Sequence, residues 1–244
     1  MLFRSHPVPV IVVSNLTPAG SALALDALAA GAVDVLQKPD GEAGRAELSR
    51  RLCAQVHAAA ASRRRLRSAS TVAPVATAMA PIARGRILVI GASTGGVEAL
   101  RYLLPRLPAD SPPIVVVQHI PAHFSRVMAE HLDRLTPFEV REAKEGDELR
   151  SGLCLVAPGD FHVVLVRSGT SLRVHLTQSP PVNHCRPSVD VLFRSAAEAV
   201  GRQAVAVLLT GMGSDGARGM SLLRNAGAAT LVESEESCVV FGMP

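Results

Sequence analysis

Three polar residues of different chemistry, Ser93, His119 and Asp215, each follow an apolar run of the sequence. Ser93 lies in GASTGG after ILVI, His119 lies in QHIPAHF after PIVVV, and Asp215 lies in GMGSDGARG after AVAVLLT. A serine hydroxyl becomes an effective nucleophile when a neutral imidazole takes its proton, and a carboxylate orients that imidazole and stabilises its cation. The sequence therefore contains the residue types needed for acyl transfer through serine.

The glycine-rich turn around Ser93 has two interpretations. The stretch GASTG fits the pattern G-x-S-x-G, in which a sharp strand-to-helix turn exposes the serine and the following N–H groups face a developing oxyanion. A glycine-rich helix N-terminus also binds phosphate, so the motif alone does not separate a hydrolase from a nucleotide-binding protein. The spacing G-x-G-x-x-G is absent, and no acidic residue lies at a strand end about 20 residues further on, since the nearest to that spacing, Asp110, lies in a proline-rich turn. These features disfavour a Rossmann-like nucleotide-binding domain.

The histidine and the aspartate each have a structural alternative. His119 can be a core or capping histidine, and His123 or His184 can supply the base instead; the position of His119 at a strand end favours His119. Asp215, within GSDG, can be a turn residue or a helix N-cap as well as a catalytic carboxylate.

The stretch NHCRPSVD, residues 183–190, can be a metal patch, a substrate-binding loop, or a loop that ends at Ser188 as a helix N-cap, and we favour the loop. The four cysteines lie far apart and form no C-x-x-C pair, and only Cys185 has a neighbouring histidine. We therefore expect reduced thiols, no metal and no cofactor. The cysteines are Cys53, Cys154, Cys185 and Cys238.

The elements that must position these residues form an α/β fold from residue 87 onward. The runs ILVIG, PIVVVQ and AVAVLLT are continuously apolar, which is typical of parallel strands covered on both faces. The segments between these runs have apolar residues at helical spacing, and they read GVEALRYLLPRL, FSRVMAEHLDRL and SVDVLFRSAAEAV. An alternating stretch, FHVVLVRSGTSLRVHLT, predicts an antiparallel hairpin that turns at Ser168 and Gly169. We expect a mostly parallel, doubly wound sheet with a hairpin insertion, whose strand ends bring the three residues to one edge.

Two further segments precede this domain. Residues 8–57 alternate strand, helix, strand and helix, and are too short for a whole doubly wound domain. Residues 58–86 are rich in Ala, Ser, Arg and Pro without apolar periodicity, which predicts a flexible linker. The domain boundaries that we predict are therefore 1–57, 58–86 and 87–244.

The amino-acid composition argues against nucleic-acid binding and against a membrane-spanning protein. Aromatic residues make up 3% of the 244 residues, so base-stacking surfaces for nucleic acid are not expected. Six arginines fall between Ala54 and Arg86, a stretch without Asp or Glu, and without them the formal net charge of +4 becomes −2. The excess charge therefore belongs to the linker and not to a polyanion-binding face. No apolar run has the length of a membrane span, and we expect a cytoplasmic protein.

Several motifs in order resemble one enzyme family. VIGASTGG, VVQHIP, HCRPSVDVLFRSAA, LLTGMGSDGARG and ESCVVFGMP are together similar to the catalytic domain of the bacterial chemotaxis protein-glutamate methylesterases. Residues 8–39 resemble the last part of the flavodoxin-like response-regulator receiver domain that precedes it in that family. The separations of Ser93 from His119 (26 residues) and of His119 from Asp215 (96 residues) make this resemblance more specific than any single motif.

The resemblance assigns the triad to Ser93, His119 and Asp215, and oxyanion stabilisation to backbone N–H groups near Thr94 and Met212. It implies hydrolysis of glutamate methyl esters, and deamidation of glutamine, on the cytoplasmic helices of methyl-accepting chemoreceptors. The alternative function is a catalytically weak regulatory or receptor-binding fragment. The sequence does not indicate an oligomeric state.

Compared with that family, the chain is expected to be truncated at both ends. The receiver-like segment lacks the acidic residues and the phosphate-accepting Asp of the earlier strands, and the family continues beyond Pro244. About two strands and two helices are too few to bury a core. We therefore expect this segment not to hold a stable face against the catalytic domain.

Overall fold

The computed structural model describes residues 8–14, 23–24, 26–28, 30, 32–39, 43–66, 85–122 and 124–244. The strands of this part of the chain are β1 (Ile11–Ser14), β2 (Asp34–Gln37), β3 (Ile87–Ala92), β4 (Ile114–Gln118), β5 (Glu139–Glu142), β6 (Leu153–Val156), β7 (His162–Ser168), β8 (Ser171–Thr177), β9 (Ala204–Leu208) and β10 (Ala229–Val232). The helices are α1 (Ala43–Leu66), α2 (Gly96–Leu103), α3 (Phe124–Asp133), α4 (Val189–Ala199) and α5 (Ala217–Asn225), with 3₁₀ turns at Leu104–Arg106 and Gly201–Gln203. Residues 23–24 and 26–28 are also helical.

The central element is a six-stranded sheet in the order β10-β9-β3-β4-β6-β5, and each of its neighbouring pairs is parallel. Every residue of β3, β4 and β6 is buried, which agrees with their continuously apolar sequences. The predicted strands ILVIG, PIVVVQ and AVAVLLT are thus confirmed, and β3 lies between β4 and β9. This order brings the three polar residues of interest to adjacent strand ends.

Each face of the sheet carries its own apolar cluster. On one face, α2 and α3 cover Ile90, Val116 and Val156. On the other face, α4, α5 and the hairpin of β7 and β8 cover Val89 and Val117. Helices on both faces of a parallel sheet make a three-layer α/β structure, so the predicted fold class of this part of the chain is confirmed.

The insertion is an antiparallel pair in which His162 faces Thr177 and Ser168 faces Ser171. Its turn holds Gly169 at φ 60°, a left-handed conformation that glycine adopts at low cost. The predicted hairpin is therefore confirmed. Val163, Leu165 and Val174 bury its inner face against the core.

The N-terminal segment packs against the main domain, contrary to our expectation. β1 and β2 form a separate parallel pair, and Ala24, Leu28 and Val35 share one buried cluster with Leu100 of α2. The expectation of no stable face was wrong because the segment does not need a core of its own. Its apolar side chains are buried against those of α2.

Helix α1 also continues further than the predicted start of the linker at residue 58, since it ends at Leu66. Residues 58–66 are mostly alanine and arginine, and both are strong helix formers. The segment is therefore helical although its sequence has no apolar periodicity. The rest of the predicted linker, apart from Gly85 and Arg86, lies outside the described residues.

Candidate active site at the strand ends

Ser93 and His119 occupy equivalent positions beyond two adjacent strands. Ala92 of β3 pairs with Gln118 of β4, and each of the two residues follows its strand by one position. The ladder continues past this pair, because the N–H of His119 donates to the carbonyl of Ala92 at 2.9 Å. Adjacent strands lie about 4.8 Å apart, so the backbones of Ser93 and His119 are direct neighbours.

Asp215 reaches the same place from the loop after β9. Its Oδ2 lies 2.8 Å from Nε2 of His119, and its side chain is 3% exposed against 13% for the histidine. Because Nε2 is engaged by the carboxylate, the ring nitrogen that remains to accept a proton is Nδ1. The structure thus brings the side chains of His119 and Asp215 into contact and places the backbone of Ser93 beside that of His119.

The Asp215 carboxylate is held at the N-terminus of α4. The backbone N–H groups of Val189 and Asp190 donate to it at 2.7 and 3.2 Å, and the Ser188 hydroxyl donates at 2.7 Å. The Nδ2 of Asn183 adds a further bond at 2.8 Å. Asp215 therefore caps α4 from a distant loop and is also the partner of the histidine, whereas Gly216 holds the N-cap position of α5, the helix that follows Asp215.

Ser188 occupies the predicted N-cap position of α4, but its hydroxyl makes no capping bond to its own helix. The bond goes to Asp215 instead, and the carboxylate caps the helix in its place. The prediction of Ser188 as the N-cap is thus correct in position, and its hydroxyl serves the site.

The loop before α4 contains a tight turn that presents two side chains to the site. Val182 and Cys185 exchange both backbone hydrogen bonds, at 3.1 and 2.9 Å, and the central residues Asn183 and His184 have φ values of 51° and 62°. Two consecutive residues with positive φ are typical of a type I′ turn. The turn aims the Asn183 amide at Asp215 and places Sγ of Cys185 3.8 Å from Nδ1 of His119.

Gln118 joins the two strand ends that carry the serine and the histidine. Its Nε2 donates to the carbonyls of Ser93 at 2.8 Å and of His119 at 3.1 Å. The Gln118 side chain is 2% exposed, so these bonds are shielded from water. This arrangement fixes the spacing between the two backbones.

Two backbone N–H groups, that of Thr94 in the turn after Ser93 and that of Met212 in the loop after β9, have no intramolecular acceptor in the part of the chain that the structure describes. Gly211, which precedes Met212, packs so closely that an added Cβ would lie 2.7 Å from Cβ of Ser93. The absence of a side chain at residue 211 thus lets the loop after β9 approach the serine.

The charges of the site shift two pKa values in opposite directions. Burial by itself lowers the pKa of His119, but the hydrogen bond with Asp215 and the nearby Cys185 outweigh burial and raise it to about 9. Burial by itself raises the pKa of Asp215, but hydrogen bonds from His119, Asn183 and Ser188 lower it to about 2. The carboxylate is therefore ionised at neutral pH and favours a protonated imidazole beside it.

The two alternative histidines do not take this place. His184 is exposed at the tip of the turn, and His123 lies outside the described residues. A third histidine, His162, is fully buried and accepts the N–H of Ser188 at Nδ1, so it supports the loop. Sequence reasoning did not single out Gln118 or Asn183 for roles at the site.

The Asp215 partners come from a loop about 25–32 positions earlier in the chain. The only signal in the sequence was the run of small polar residues in NHCRPSVD.

None of the helices in the described part of the chain is long and apolar enough to span a membrane. A serine, a histidine and an aspartate at the carboxyl ends of parallel strands are the residue types that α/β proteins use for acyl transfer through serine. The chain belongs to the CheB methylesterase family, whose sequence model matches residues 88–244. This membership also argues against the nucleotide-binding alternative.

Similar proteins are also named as methylesterases. A protein-glutamate methylesterase/protein-glutamine glutaminase of Chromohalobacter salexigens is 46% identical over 250 residues, which cover all of this chain and 70% of that protein. A second such protein, from Pseudomonas aeruginosa, is 46% identical over 248 residues, again with full coverage of this chain and 70% of its own length. The crystal structure of the Thermotoga maritima CheB methylesterase catalytic domain superimposes with a TM-score of 0.65 at 42% identity, covering 66% of this chain and 86% of that one.

Proposed function

We propose that this chain hydrolyses glutamate methyl esters, and deamidates glutamine, on the cytoplasmic helices of methyl-accepting chemoreceptors during chemotaxis adaptation. The observation that carries the proposal is the 2.8 Å contact between His119 and Asp215 at the strand position next to Ser93. Relatives at 46% identity are named for these two reactions. Both reactions transfer an acyl group from a γ-carboxyl derivative to water.

In the proposed mechanism, the Oγ of Ser93 attacks the ester carbonyl, and its proton moves to Nδ1 of His119. Asp215, bound at Nε2, fixes the ring orientation and stabilises the imidazolium. The N–H groups of Thr94 and Met212 donate to the oxyanion of the tetrahedral intermediate. His119 then protonates the departing methanol, or ammonia in deamidation, and leaves an acyl-enzyme at Ser93.

Water completes the reaction from the same positions. His119, neutral again after the first step, takes a proton from water as it attacks the acyl-enzyme carbonyl. The second tetrahedral intermediate uses the same two N–H donors, and its collapse returns the proton to Ser93 and releases glutamate. No group outside the chain is needed to balance either reaction.

We further propose that residues 8–57 correspond to the last part of a receiver domain. The parallel pairing of β1 with β2, the helical residues between them and α1 after them support this assignment. The predicted boundaries of 1–57, 58–86 and 87–244 remain part of the proposal, with the helix continuing to Leu66.

One observation favours the second candidate function, a receptor-binding fragment with weak turnover. A small cavity beside Ser93 is lined on one side by Leu28 and residues 32–34 and on the other by Gly95 and Gln118. The N-terminal segment therefore lies against the cavity beside the proposed nucleophile, where it can restrict substrate access.

The test is a direct assay of both reactions. The purified chain is incubated with a cytoplasmic chemoreceptor fragment that carries radiolabelled methyl esters, and released methanol is measured; ammonia release from the glutamine-containing fragment is measured in parallel. We expect both products, and neither above background with Ser93→Ala. Stable binding of the fragment without release of either product would instead support the receptor-binding function.

A further inference from the structure

The thiol of Cys185 lies close to the ring nitrogen of His119 that the proposed mechanism uses as the base. Its Sγ lies 3.8 Å from Nδ1 of His119, and the ligand atoms of His119, Cys185 and Asp215 all lie within 4.8 Å of one another. The sequence suggested only His184 as a partner of this cysteine, but His184 is exposed at the tip of the turn. The fold brings the thiol to a different histidine, 66 residues earlier.

The orientation of His119 is that of a zinc ligand as well as that of a base. Histidines that bind zinc commonly donate their second N–H to a carboxylate, which fixes the tautomer and raises the basicity of the ligating nitrogen. Asp215 engages Nε2 in this way and leaves the lone pair of Nδ1 directed to the side of Cys185. The hydrogen bond that prepares His119 to take a proton therefore also prepares it to bind a metal.

The distance between the two atoms suits one ion. Zinc bonds to sulfur at about 2.3 Å and to imidazole nitrogen at about 2.0–2.1 Å, and a tetrahedral angle then separates the two ligand atoms by about 3.6 Å. The observed 3.8 Å needs only a small adjustment of side chains. The type I′ turn at Val182–Cys185 and the carboxylate on Nε2 hold both ligands near this separation before any metal arrives.

We propose that Nδ1 of His119 and Sγ of Cys185 form an inhibitory site for zinc or a similar thiophilic divalent cation. Binding replaces the thiol proton with the metal and occupies the lone pair that would accept the serine proton. Both side chains are partly accessible, so water can fill the remaining coordination positions. Inhibition rests on the proposed function, whereas metal binding does not.

The chain offers two informative variants besides Cys185→Ser. His184→Gly removes the adjacent imidazole and keeps the turn, because Asn-Gly is the preferred centre of a type I′ turn. Cys53→Ser removes the only other cysteine of the described residues that is not buried, since Cys154 and Cys238 are buried and Cys185 is partly buried. All measurements are made in the Cys53→Ser background, so that any thiolate signal from an accessible cysteine comes from Cys185.

The first measurement uses Co²⁺ as a spectroscopic substitute for zinc, with no substrate present. The background protein and His184→Gly should show the near-ultraviolet absorption of cobalt–thiolate coordination, displaced by one equivalent of Zn²⁺. Cys185→Ser should lack this absorption. If the background protein shows no thiolate band, or if Cys185→Ser keeps it, the proposed site is wrong, whatever the activity of the chain.

The second measurement follows methyl ester hydrolysis against Zn²⁺ concentration, with each variant compared with its own rate without metal. Loss of a ligand should raise the half-inhibiting Zn²⁺ concentration at least about tenfold in Cys185→Ser, while His184→Gly should match the background protein. Mg²⁺, which prefers oxygen ligands, should not inhibit, and a chelator should restore the rate. Equal sensitivity of Cys185→Ser, equal inhibition by Mg²⁺ or inhibition that a chelator does not reverse would overturn the inhibitory role.

Discussion

Thr94, the residue after the proposed nucleophile, donates its hydroxyl hydrogen bond to Oδ2 of Asp34 at 2.6 Å across 60 residues of sequence. The same carboxylate oxygen accepts a bond from Gln55 of α1 at 2.8 Å. The N–H of Gly95 also donates to the carbonyl of Val33 at 3.3 Å. The N-terminal segment is therefore bound directly to the turn that carries Ser93.

The substitution Asp34→Ala should raise the rate of ester hydrolysis several-fold. A hydrogen bond to a charged group contributes roughly 1.5–3 kcal/mol, so its loss should allow the N-terminal segment to move away from the Ser93 turn more often. Gln55→Ala is the matched control, because it removes a different bond to Asp34 and leaves Thr94 bound. An unchanged or lower rate in Asp34→Ala would show that the segment does not restrict access.

The substitution Ser93→Ala should lower the rates of ester hydrolysis and deamidation by about three to four orders of magnitude, the scale of losing a triad member. The fold should persist, because Ser93 lies in a turn and the hydroxyl is not a core group. Ser221→Ala, which removes an exposed hydroxyl from α5, should leave both rates unchanged. If Ser93→Ala kept most of its activity, another residue would have to be the nucleophile.

The rate of ester hydrolysis should fall as the pH is lowered through the pKa of His119. Burial lowers this pKa, but Asp215 and Cys185 together outweigh burial, so the acid limb should lie above the ordinary value of 6.5. The rate falls on the acid side of this pKa because only the neutral imidazole accepts the serine proton. Initial rates over about pH 5 to 10 measure the limb.

Asp215→Asn should move this limb to lower pH and also reduce the plateau rate. The amide removes the negative charge that raises the pKa of His119, and it no longer stabilises the imidazolium formed during the reaction. A profile that is flat across the same range in the unmodified chain would assign the base to another group.

How much of the fold is predictable follows from the burial of individual strands. The sequences of β3, β4 and β9 are long apolar runs and were predicted, because central parallel strands are covered on both faces. By contrast, β5 reads EVRE, β10 is mostly exposed, and β6 has only four residues. Edge strands need little apolar sequence, and a four-residue apolar run such as LCLV is too short to be told from a buried helix or loop, so the pairing of these strands depends on neighbours that the local pattern does not reveal.

The site, like the fold, has a part that the sequence predicts and a part that it does not. Strand-end geometry placed Ser93, His119 and Asp215 at one edge, because parallel strands expose their carboxyl ends together. The groups that hold these residues, such as Asn183 on Asp215, come from loops whose path is fixed by tertiary packing. The hydrogen bond between Thr94 and Asp34 is likewise fixed by tertiary packing, since no local pattern predicts a contact across 60 positions.

The hydroxyl of Ser188 should act on the reaction through Asp215. Ser188→Ala removes one of the donors that lower the pKa of Asp215, and we expect kcat to fall about tenfold with little change in KM, because a less firmly held carboxylate orients His119 less well. The pKa of Asp215 should rise from about 2 towards its ordinary value.

Ser195→Ala separates this effect from general destabilisation. Ser195 lies in the same helix, is also buried, and bonds to Leu192 and Leu165 without touching Asp215. Each variant loses a buried hydroxyl and should lower the free energy of unfolding by about 1–3 kcal/mol in denaturant titrations. Only Ser188→Ala should change kcat and the pH dependence of the rate. If both variants reduced kcat equally, the hydroxyl of Ser188 would support the fold alone, and the hydrogen bonds from Asn183 and the α4 backbone would suffice to hold Asp215.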